Sequence, residues 1–292
     1  MLIVYFFIQF PAMAQNSAGG EFIDYDKLKS GLILKVQELQ RKGGLEPLTS
    51  LKAQAQAIGP ESKAGLKRLK AGTVKLSGRE LIEKRKSSIL MLCKYYRPEK
   101  VSTDQVKVVA TAIALSDDGT CLTNWHVLMD LLEPSLQVNS YDSLVFVANL
   151  KGEIFPIEKV LSFSKDADEA VFKVKAAKGT LEPIPLGLGS SPGDPVHTIT
   201  NPDGYPYYYS YGVVARNTAQ MEKGILGNRM EITADYAKGS SGGAILDEFG
   251  NLTGMVSSTH SIYYQDRPES KLQMVIKTTI PVQSIQELLK FQ

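Results

Sequence analysis

Three side chains in this sequence have the chemistry needed for acyl transfer through a nucleophile: His126, Asp168 and Ser241. Ser241 lies in the stretch KGSSGG, whose glycines allow unusual backbone angles and leave room for a substrate. Acyl transfer needs a nucleophilic oxygen, a base within hydrogen-bond distance, and backbone N–H groups directed at the developing oxyanion. A glycine-rich loop can supply those N–H groups, but the same letters are also typical of a plain turn between strands.

The other two residues lie at the ends of short β-type runs. His126 follows a strand that begins after the Asp-Gly turn at Asp118–Gly119, and Asp168 precedes the apolar run EAVFKV. Each residue taken alone also fits a structural role. Their chain order of His, Asp and Ser matches the roles of general base, orienting carboxylate and nucleophile.

The surrounding sequence predicts the elements that position these residues. From Ile89 onward, short β-rich runs alternate with turn signals, a pattern that favours an antiparallel sandwich or barrel over a parallel sheet. The apolar spacing at Val282, Ile285, Leu288 and Leu289 predicts a closing C-terminal helix.

Residues 21–87 have apolar residues at helical spacing and are rich in lysine, so we expect short amphipathic helices there. Residues 15–100 carry 18 Lys and Arg against 9 Asp and Glu, while the remainder is acidic. Two interpretations stay open for this region: a solvated helical extension packed on the main domain, or a basic arm that contacts an anionic lipid, cell wall or nucleic acid.

The N-terminus and the cysteines define the expected compartment. Residues 2–10 are apolar but too few to span a bilayer, and Ala12–Met13–Ala14 follows, so we expect a signal peptide at residues 1–14 cleaved after Ala14, and export to the periplasm or the medium. No membrane span is expected after it. Cys93 and Cys121 are compatible with a disulfide or with two buried thiols. The three histidines and two cysteines form no zinc motif, so neither a metal nor a cofactor is expected.

Six blocks of the chain, in order, resemble the trypsin-like peptidases of the HtrA (Do-like) type. DGTCLTNWHV, DADEAVFKV, the stretch from PIPLGLGSS to TNPDG, YGVVA, GSSGGAILDEFGNLTGMVS and TTIPVQSIQELL are similar to that family's consecutive motifs. The resemblance covers residues 88–292. It implies an all-β fold, a chymotrypsin-like double antiparallel β-barrel, with residues 15–87 as a helical N-terminal extension and a helix at the C-terminus.

The resemblance also implies roles for single residues. Ser241 would be the nucleophile, His126 the base, and Asp168, in preference to Asp166, the orienting acid; backbone N–H groups of Gly239 and Ser241 would form the oxyanion hole. The strand Val256–Ser257–Ser258–Thr259 would line the substrate cleft. Asp235, six residues before Ser241, is a candidate for the floor of a pocket that selects basic residues, with an exposed or structural acid as the alternative.

The chain departs from the family pattern at three positions near these residues. Ser240 replaces the usual Asn or Asp, Ala244 the usual Pro, and Glu169 an apolar residue. No PDZ domain is expected after the peptidase-like region. The implied function is a serine endopeptidase that acts on protein or peptide substrates, with no nucleic-acid partner. Alternatives are a catalytically silent trypsin-like fold that serves as a binding or scaffold module, or a surface-binding protein that acts through the basic helices. The natural substrate and the oligomeric state are left open.

Overall fold

The structure, a computed structural model, describes residues 22–59, 62–98, 101–132, 144–265 and 271–292. The signal peptide expected at residues 1–14 lies outside these described residues. The helices are α1 Tyr25–Arg41, α2 Leu48–Ala57, α3 Gly78–Arg85, α4 Trp125–Leu132 and α5 Val282–Glu287. The strands are β1 Ala64–Leu66, β2 Ile89–Tyr96, β3 Gln105–Ala114, β4 Thr120–Thr123, β5 Leu144–Ala148, β6 Ile154–Ser164, β7 Glu169–Val174, β8 Pro195–Thr200, β9 Tyr208–Thr218, β10 Arg229–Ile232, β11 Ala244–Leu246, β12 Leu252–Tyr263, β13 Leu272–Pro281 and β14 Leu289–Phe291.

Twelve of these strands close into two barrels. The first barrel has the order β2-β3-β4-β7-β6-β5, and the second has the order β10-β13-β12-β11-β8-β9, with every pairing antiparallel. Closure removes the exposed edges that an open sheet of this size would carry. The expected double barrel is therefore confirmed.

The apolar runs explain how the barrels fill and how they meet. Leu90 and Leu92 of β2 point into the core of the first barrel, whereas Met91 and Cys93, on the other face, pack with Leu32 and other residues of α1. A further cluster joins the barrels, where residues of β4 and β7 pack against residues of β11 and β12. The seam between the barrels is thus a continuous apolar layer that fixes their relative position.

The N-terminal segment lies on the barrels. Leu32 of α1, Leu51 of α2 and Leu81 of α3 are buried in three different core clusters. The structure therefore favours the packed extension over a free basic arm. It also differs from the expected all-helical segment at Ala64–Leu66, which forms β1 and pairs in parallel with β14.

The C-terminal helix is shorter than its apolar pattern predicted. α5 ends at Glu287, and Leu289, which was expected to continue the helix, begins β14. Pairing with β1 supplies the backbone hydrogen bonds that compete with one more helical turn. Within the described ranges, no helix combines the length and the apolar character required to cross a membrane. Cys93 and Cys121 are both buried free thiols.

Candidate active site

Asp168 lies in the tight turn that connects β6 to β7. Its amide donates a hydrogen bond to the carbonyl oxygen of Lys165 at 3.2 Å, and its φ of 62° is in the left-handed region. Few residues other than glycine adopt that region, and Asp is among those that tolerate it best. The turn directs the carboxylate away from the barrel and towards the start of α4.

His126 is brought to this carboxylate by strand pairing. β4 pairs with β7, with Thr123 opposite Ala170, so the residues that follow β4 lie beside those that precede β7. Nδ1 of His126 is 2.9 Å from Oδ1 and 3.0 Å from Oδ2 of Asp168, and the His126 amide donates to Oδ1 at 3.1 Å. Contact with the carboxylate assigns the proton to Nδ1, which leaves Nε2 of the neutral ring able to accept a proton.

The surroundings of His126 favour protonation of its ring. Partial burial is the largest single influence and lowers the pKa, but the hydrogen bond and charge of Asp168, together with the charge of Asp130, outweigh it and raise the pKa of His126 above its ordinary value. The His126 side chain is 44% exposed, whereas Asp168 is 18% exposed. The imidazole is therefore accessible to a substrate, and the carboxylate behind it is enclosed.

Two further side chains hold the Asp168 carboxylate. Ser257 Oγ donates to Oδ2 at 2.8 Å, and Asn124 Nδ2 donates to Oδ2 at 3.2 Å and to the Asp168 carbonyl oxygen at 3.1 Å. Ser257 was expected only as part of the cleft wall, and Asn124 was not among the predicted site residues. The signal for Asn124 is its place two residues before His126, at the end of a strand that pairs beside Asp168.

The loop that carries Ser241 is shaped by glycines at positions where a side chain would collide. Gly239 has a φ of 90°, and a Cβ there would lie 2.7 Å from the amide nitrogen of Asp203. Gly242 has a φ of 79°, and a Cβ there would lie 2.1 Å from the carbonyl oxygen of Thr111. This loop is therefore a specific, closely packed structure that requires glycine.

The amides of Gly239 and Ser241 have no hydrogen-bond acceptor among the residues that the structure describes. In the described part of the chain neither N–H donates a hydrogen bond, although the neighbouring amides of Ser240 and Gly243 donate to Ala237 and Ser240 at 3.0 Å and 2.8 Å. Backbone N–H groups of a glycine-rich loop can donate to an oxyanion, so these two amides are the candidate donors of an oxyanion hole.

Ser241 is connected to Asp168 through hydrogen bonds made by Ser257. Its hydroxyl donates to the Ser257 carbonyl oxygen at 3.3 Å, while the Ser257 hydroxyl contacts Asp168. Within the described residues, the Ser241 hydroxyl makes no hydrogen bond to His126. The structure thus joins His126 directly to Asp168, and Ser241 to the same assembly through β12.

The candidate substrate-binding residues, Asp235 and the strand 256–259, differ in how far they are buried. Asp235 is 79% exposed and its Oδ1 is 2.7 Å from Nζ of Lys277, so its carboxylate is neither enclosed nor unpaired, as a pocket floor for basic residues would need to be. Tyr236 is buried next to it, and its hydroxyl oxygen lies 2.9 Å from the Ser258 carbonyl oxygen and 2.8 Å from that of Thr278, so its single proton can be donated to either. In the expected cleft wall, Val256 and Ser257 are buried, whereas Ser258 and Thr259 are exposed.

Glu169 is an anomaly directly beside the site. It is completely buried, and neither carboxyl oxygen has a hydrogen-bond partner among the described residues. Burial raises the pKa of Glu169 well above its ordinary value, and only the charge of Arg229 opposes that shift. The surroundings of the carboxyl group therefore favour its neutral form over its charged form. No group of three or more His, Cys, Asp or Glu side chains in the described ranges could hold a metal ion.

The double barrel, with a histidine, a carboxylate and a serine on a glycine-rich loop between its halves, defines the class of trypsin-like peptidases. Residues 110–255, half of the chain, match the model of the trypsin-like peptidase domain, and the chain belongs to that family. The matched stretch contains His126, Asp168 and Ser241.

Several particular proteins resemble the chain. Protease Do-like 1, chloroplastic, from Arabidopsis thaliana is 31% identical over 149 residues, which are 49% of this chain and 31% of that protein. Serine endoprotease DegS from Haemophilus influenzae is 32% identical over 162 residues, which are 54% of this chain and 43% of that protein. This chain therefore spans less than half of these relatives' length.

A solved structure, the HtrA-type protease AlgW with a decapeptide, superposes with a TM-score of 0.54 at 20% sequence identity, covering 73% of this chain and 68% of that chain. At this identity the similarity shows the shared fold.

Proposed function

We propose that this chain is a serine endopeptidase that hydrolyses peptide bonds through an acyl-enzyme. One observation carries the proposal: the Asp168 carboxylate holds Nδ1 of His126 at 2.9 Å, while Ser257 links that carboxylate to Ser241. Membership of the trypsin-like peptidase family supports the same chemistry. Polypeptides are the proposed substrates, in keeping with the decapeptide in the AlgW structure.

The proposed reaction begins when Ser241 Oγ attacks the carbonyl carbon of the substrate and its proton passes to Nε2 of His126. Asp168 keeps the ring in the correct tautomer and stabilises the imidazolium. The amides of Gly239 and Ser241 donate to the oxyanion of the tetrahedral intermediate. His126 then protonates the leaving amine, and an acyl-enzyme remains on Ser241. In the second half of the reaction, His126 deprotonates a water molecule that attacks the acyl carbon. The bond from that carbon to Ser241 Oγ then breaks, His126 returns the proton to Oγ, and the acid product is released.

A catalytically silent binding module is the second candidate, because the Ser241 hydroxyl is hydrogen-bonded to Ser257 and not to His126. Catalytic hydrogen bonds in substrate-free enzymes are often long or misaligned and form fully only with substrate bound, so this observation is compatible with an enzyme.

A fluorophosphonate probe, followed by identification of the labelled peptide, separates the two candidates. We expect labelling at Ser241 and cleavage of an unfolded protein substrate, with both lost in Ser241→Ala. Ser240→Ala is the matched control, because it removes the neighbouring hydroxyl and keeps Ser241; it should retain labelling. A folded wild-type protein that neither labels nor cleaves would establish the silent module instead.

We also propose that the protein acts after export. The support is in the sequence alone: an apolar run at residues 2–10 followed by Ala12–Met13–Ala14. N-terminal sequencing of the mature protein from its natural source should give Gln15 as the first residue. A mature chain that still begins at Met1 would contradict the proposal.

A further inference from the structure

A cavity of about 440 Å³ lies against the turn that carries Asp168. Its wall is built from four separate segments: the N-terminal extension, the turn between β6 and β7, the 3-10 turn Met221–Gly227, and the end of α5. None of the described residues that line it belongs to β12 or to the serine loop, residues 238–243. The cavity is therefore separate from the proposed substrate cleft.

The apolar part of the wall is in contact with the residue that precedes His126. Phe163, Leu226 and Leu288 supply the apolar surface. The Phe163 ring stacks on the Trp125 ring, with the ring centroids 4.1 Å apart and the planes inclined by 21°. Trp125 is the single tryptophan of the sequence. An apolar group in the cavity would thus lie against a ring that packs directly on this tryptophan.

The charged side chains of the wall leave one cation without an anionic partner. Nζ of Lys63 is 3.5 Å from Oε2 of Glu287. Oδ1 of Asp166 is 3.6 Å from Nζ of Lys223, which lies just outside the lining. Lys165 is exposed, and it forms no ion pair in the part of the chain that the structure describes. Its ammonium group is therefore available to an anion inside the cavity.

The position of Lys165 limits the chemistry of that anion. Its Nζ lies 5.8 Å from the centroid of the Trp125 ring, so one side of the ammonium group faces an aromatic surface. Two hydroxyl side chains, Ser62 and Ser164, line the same cavity. A single ammonium group beside an apolar wall matches a singly charged carboxylate that carries an apolar group.

We propose that this cavity binds a small apolar carboxylate, with the carboxylate at Lys165 and the apolar group against Phe163 and Leu226. The chemical class is that of an N-acylated branched or aromatic amino acid, and it is shared by the free compound and by the C-terminal residue of a peptide. The site uses neither Ser241 nor His126, so it does not depend on the proposed peptidase function.

Titration with N-acetylleucine, followed by the fluorescence of Trp125 and by isothermal titration calorimetry, tests the proposal. N-acetylleucinamide is the matched neutral ligand, and acetate is the matched anion without an apolar group. We expect Kd to be about tenfold or more weaker for each of these two, because one lacks the ion pair and the other lacks the buried leucine side chain. Equal Kd for N-acetylleucine and its amide, or no binding of N-acetylleucine by either method, would overturn the proposal.

Substitutions in the wall locate the ligand. Lys165→Gln should weaken the binding of N-acetylleucine about tenfold, and Leu226→Ser should weaken N-acetylleucine but not acetate. Lys159→Gln is the matched control, because Lys159 is an exposed lysine of the same strand β6 outside the lining, and it should keep the wild-type Kd. Kd is measured by calorimetry in all variants, since Lys165→Gln also changes the surroundings of Trp125. An unchanged Kd in Lys165→Gln would contradict the assignment.

A further variant separates this cavity from the proposed active site, where N-acetylleucine resembles a cleavage product. Ser241→Leu places a bulky side chain at the serine loop and should leave Kd unchanged. Binding that is lost in Ser241→Leu and kept in Lys165→Gln would place the ligand in the active site and overturn the proposal. Binding by a wild type that no fluorophosphonate labels would keep the cavity site and reject the peptidase, whereas labelling without binding would do the reverse.

A peptide ligand distinguishes the two sources of the carboxylate. N-acetyl-Ala-Ala-Leu with a free C-terminus presents the same leucine carboxylate on a polypeptide chain. A Kd equal to or lower than that of N-acetylleucine, raised in Lys165→Gln, would identify the C-terminal residue of a peptide as the ligand. A Kd about tenfold higher would identify a free small molecule, because the chain before the leucine would then collide with the cavity wall.

Discussion

Ser241 donates its hydroxyl to the carbonyl oxygen of Ser257 at 3.3 Å, and through Ser257 it is connected to the carboxylate that holds His126. Within the described residues the Ser241 hydroxyl makes no hydrogen bond to His126. The proposed mechanism therefore requires this hydroxyl to turn from the Ser257 carbonyl oxygen towards Nε2 of His126 when substrate binds.

Activity should depend on pH through His126. Because the pKa of His126 is raised by Asp168 and Asp130, the base is lost to protonation at a higher pH than for an isolated histidine. We expect kcat/KM to fall on acidification with a midpoint above about 6.5. Asp168→Asn should reduce the rate on the order of 10⁴-fold. A profile of kcat/KM between pH 5 and 9 measures the midpoint and the rate loss in Asp168→Asn. If kcat/KM of the wild type does not change between pH 5 and 8, His126 is not the base.

Asp130→Asn is the matched control for that profile. The charge of Asp130 contributes to the raised pKa of His126, but Asp130 makes no hydrogen bond to the imidazole ring among those described. Its removal should move the midpoint to lower pH while the rate at high pH is retained. An equal rate loss in Asp130→Asn and Asp168→Asn would show that charge alone, and not the orientation of the imidazole, explains the role of Asp168.

The loop of the proposed oxyanion hole should depend on a pair of hydroxyls. Ser240 Oγ donates to Thr200 Oγ1 at 3.1 Å, and both side chains are completely buried. Ser240→Ala and Thr200→Val should each lower the free energy of unfolding by about 1 kcal/mol, and the double variant should cost little more than either single one. Urea denaturation of the wild type, both single variants and the double variant completes this double-mutant cycle. If the two losses in the free energy of unfolding simply add in the double variant, the hydroxyls do not interact.

We expect no preference for Lys or Arg at the residue before the cleaved bond. Asp235 is exposed and already paired with Lys277, so a substrate arginine would have to compete with an existing ion pair in solvent. Cleavage-site profiling with a peptide library should show no enrichment of Lys or Arg before the scissile bond, and Asp235→Ala should leave the profile unchanged. Strong enrichment that disappears in Asp235→Ala would restore Asp235 as the selecting acid.

Alternating strands and turn residues predicted an antiparallel sandwich or barrel, whereas the double barrel and the roles of His126 and Asp168 were implied by the resemblance to trypsin-like peptidases. The contact between these two residues depends on the pairing of β4 with β7, which no local pattern specifies. The pairing of β1 with β14 was not predicted, since only three residues of each strand take part and they come from opposite ends of the chain. Likewise, the Ser257 and Asn124 hydrogen bonds to Asp168 arise only when β12 and β4 converge on the same turn.

The burial of Glu169 could not be predicted from the sequence, since a glutamate at the start of a strand normally reaches solvent. In this fold β7 directs it into the protein, next to Asp168, with both oxygens unpaired among the described residues. A raised folded-state pKa means that the unfolded chain releases the proton at a lower pH than the folded chain does. Stability must therefore decline as the pH rises above about 4.5 towards the folded-state pKa.

Two substitutions of Glu169 separate ionisation from burial. Glu169→Gln cannot ionise, so its free energy of unfolding should match the wild type near pH 4 and exceed it increasingly towards pH 8. Glu169→Leu also removes the unpaired polar atoms and should be more stable at every pH, by about 1–3 kcal/mol near pH 4. Urea unfolding at pH 4, 6 and 8 measures this, with the exposed Glu222→Gln as control. A Glu169→Gln difference that does not grow with pH would show that Glu169 is charged or paired in the fold.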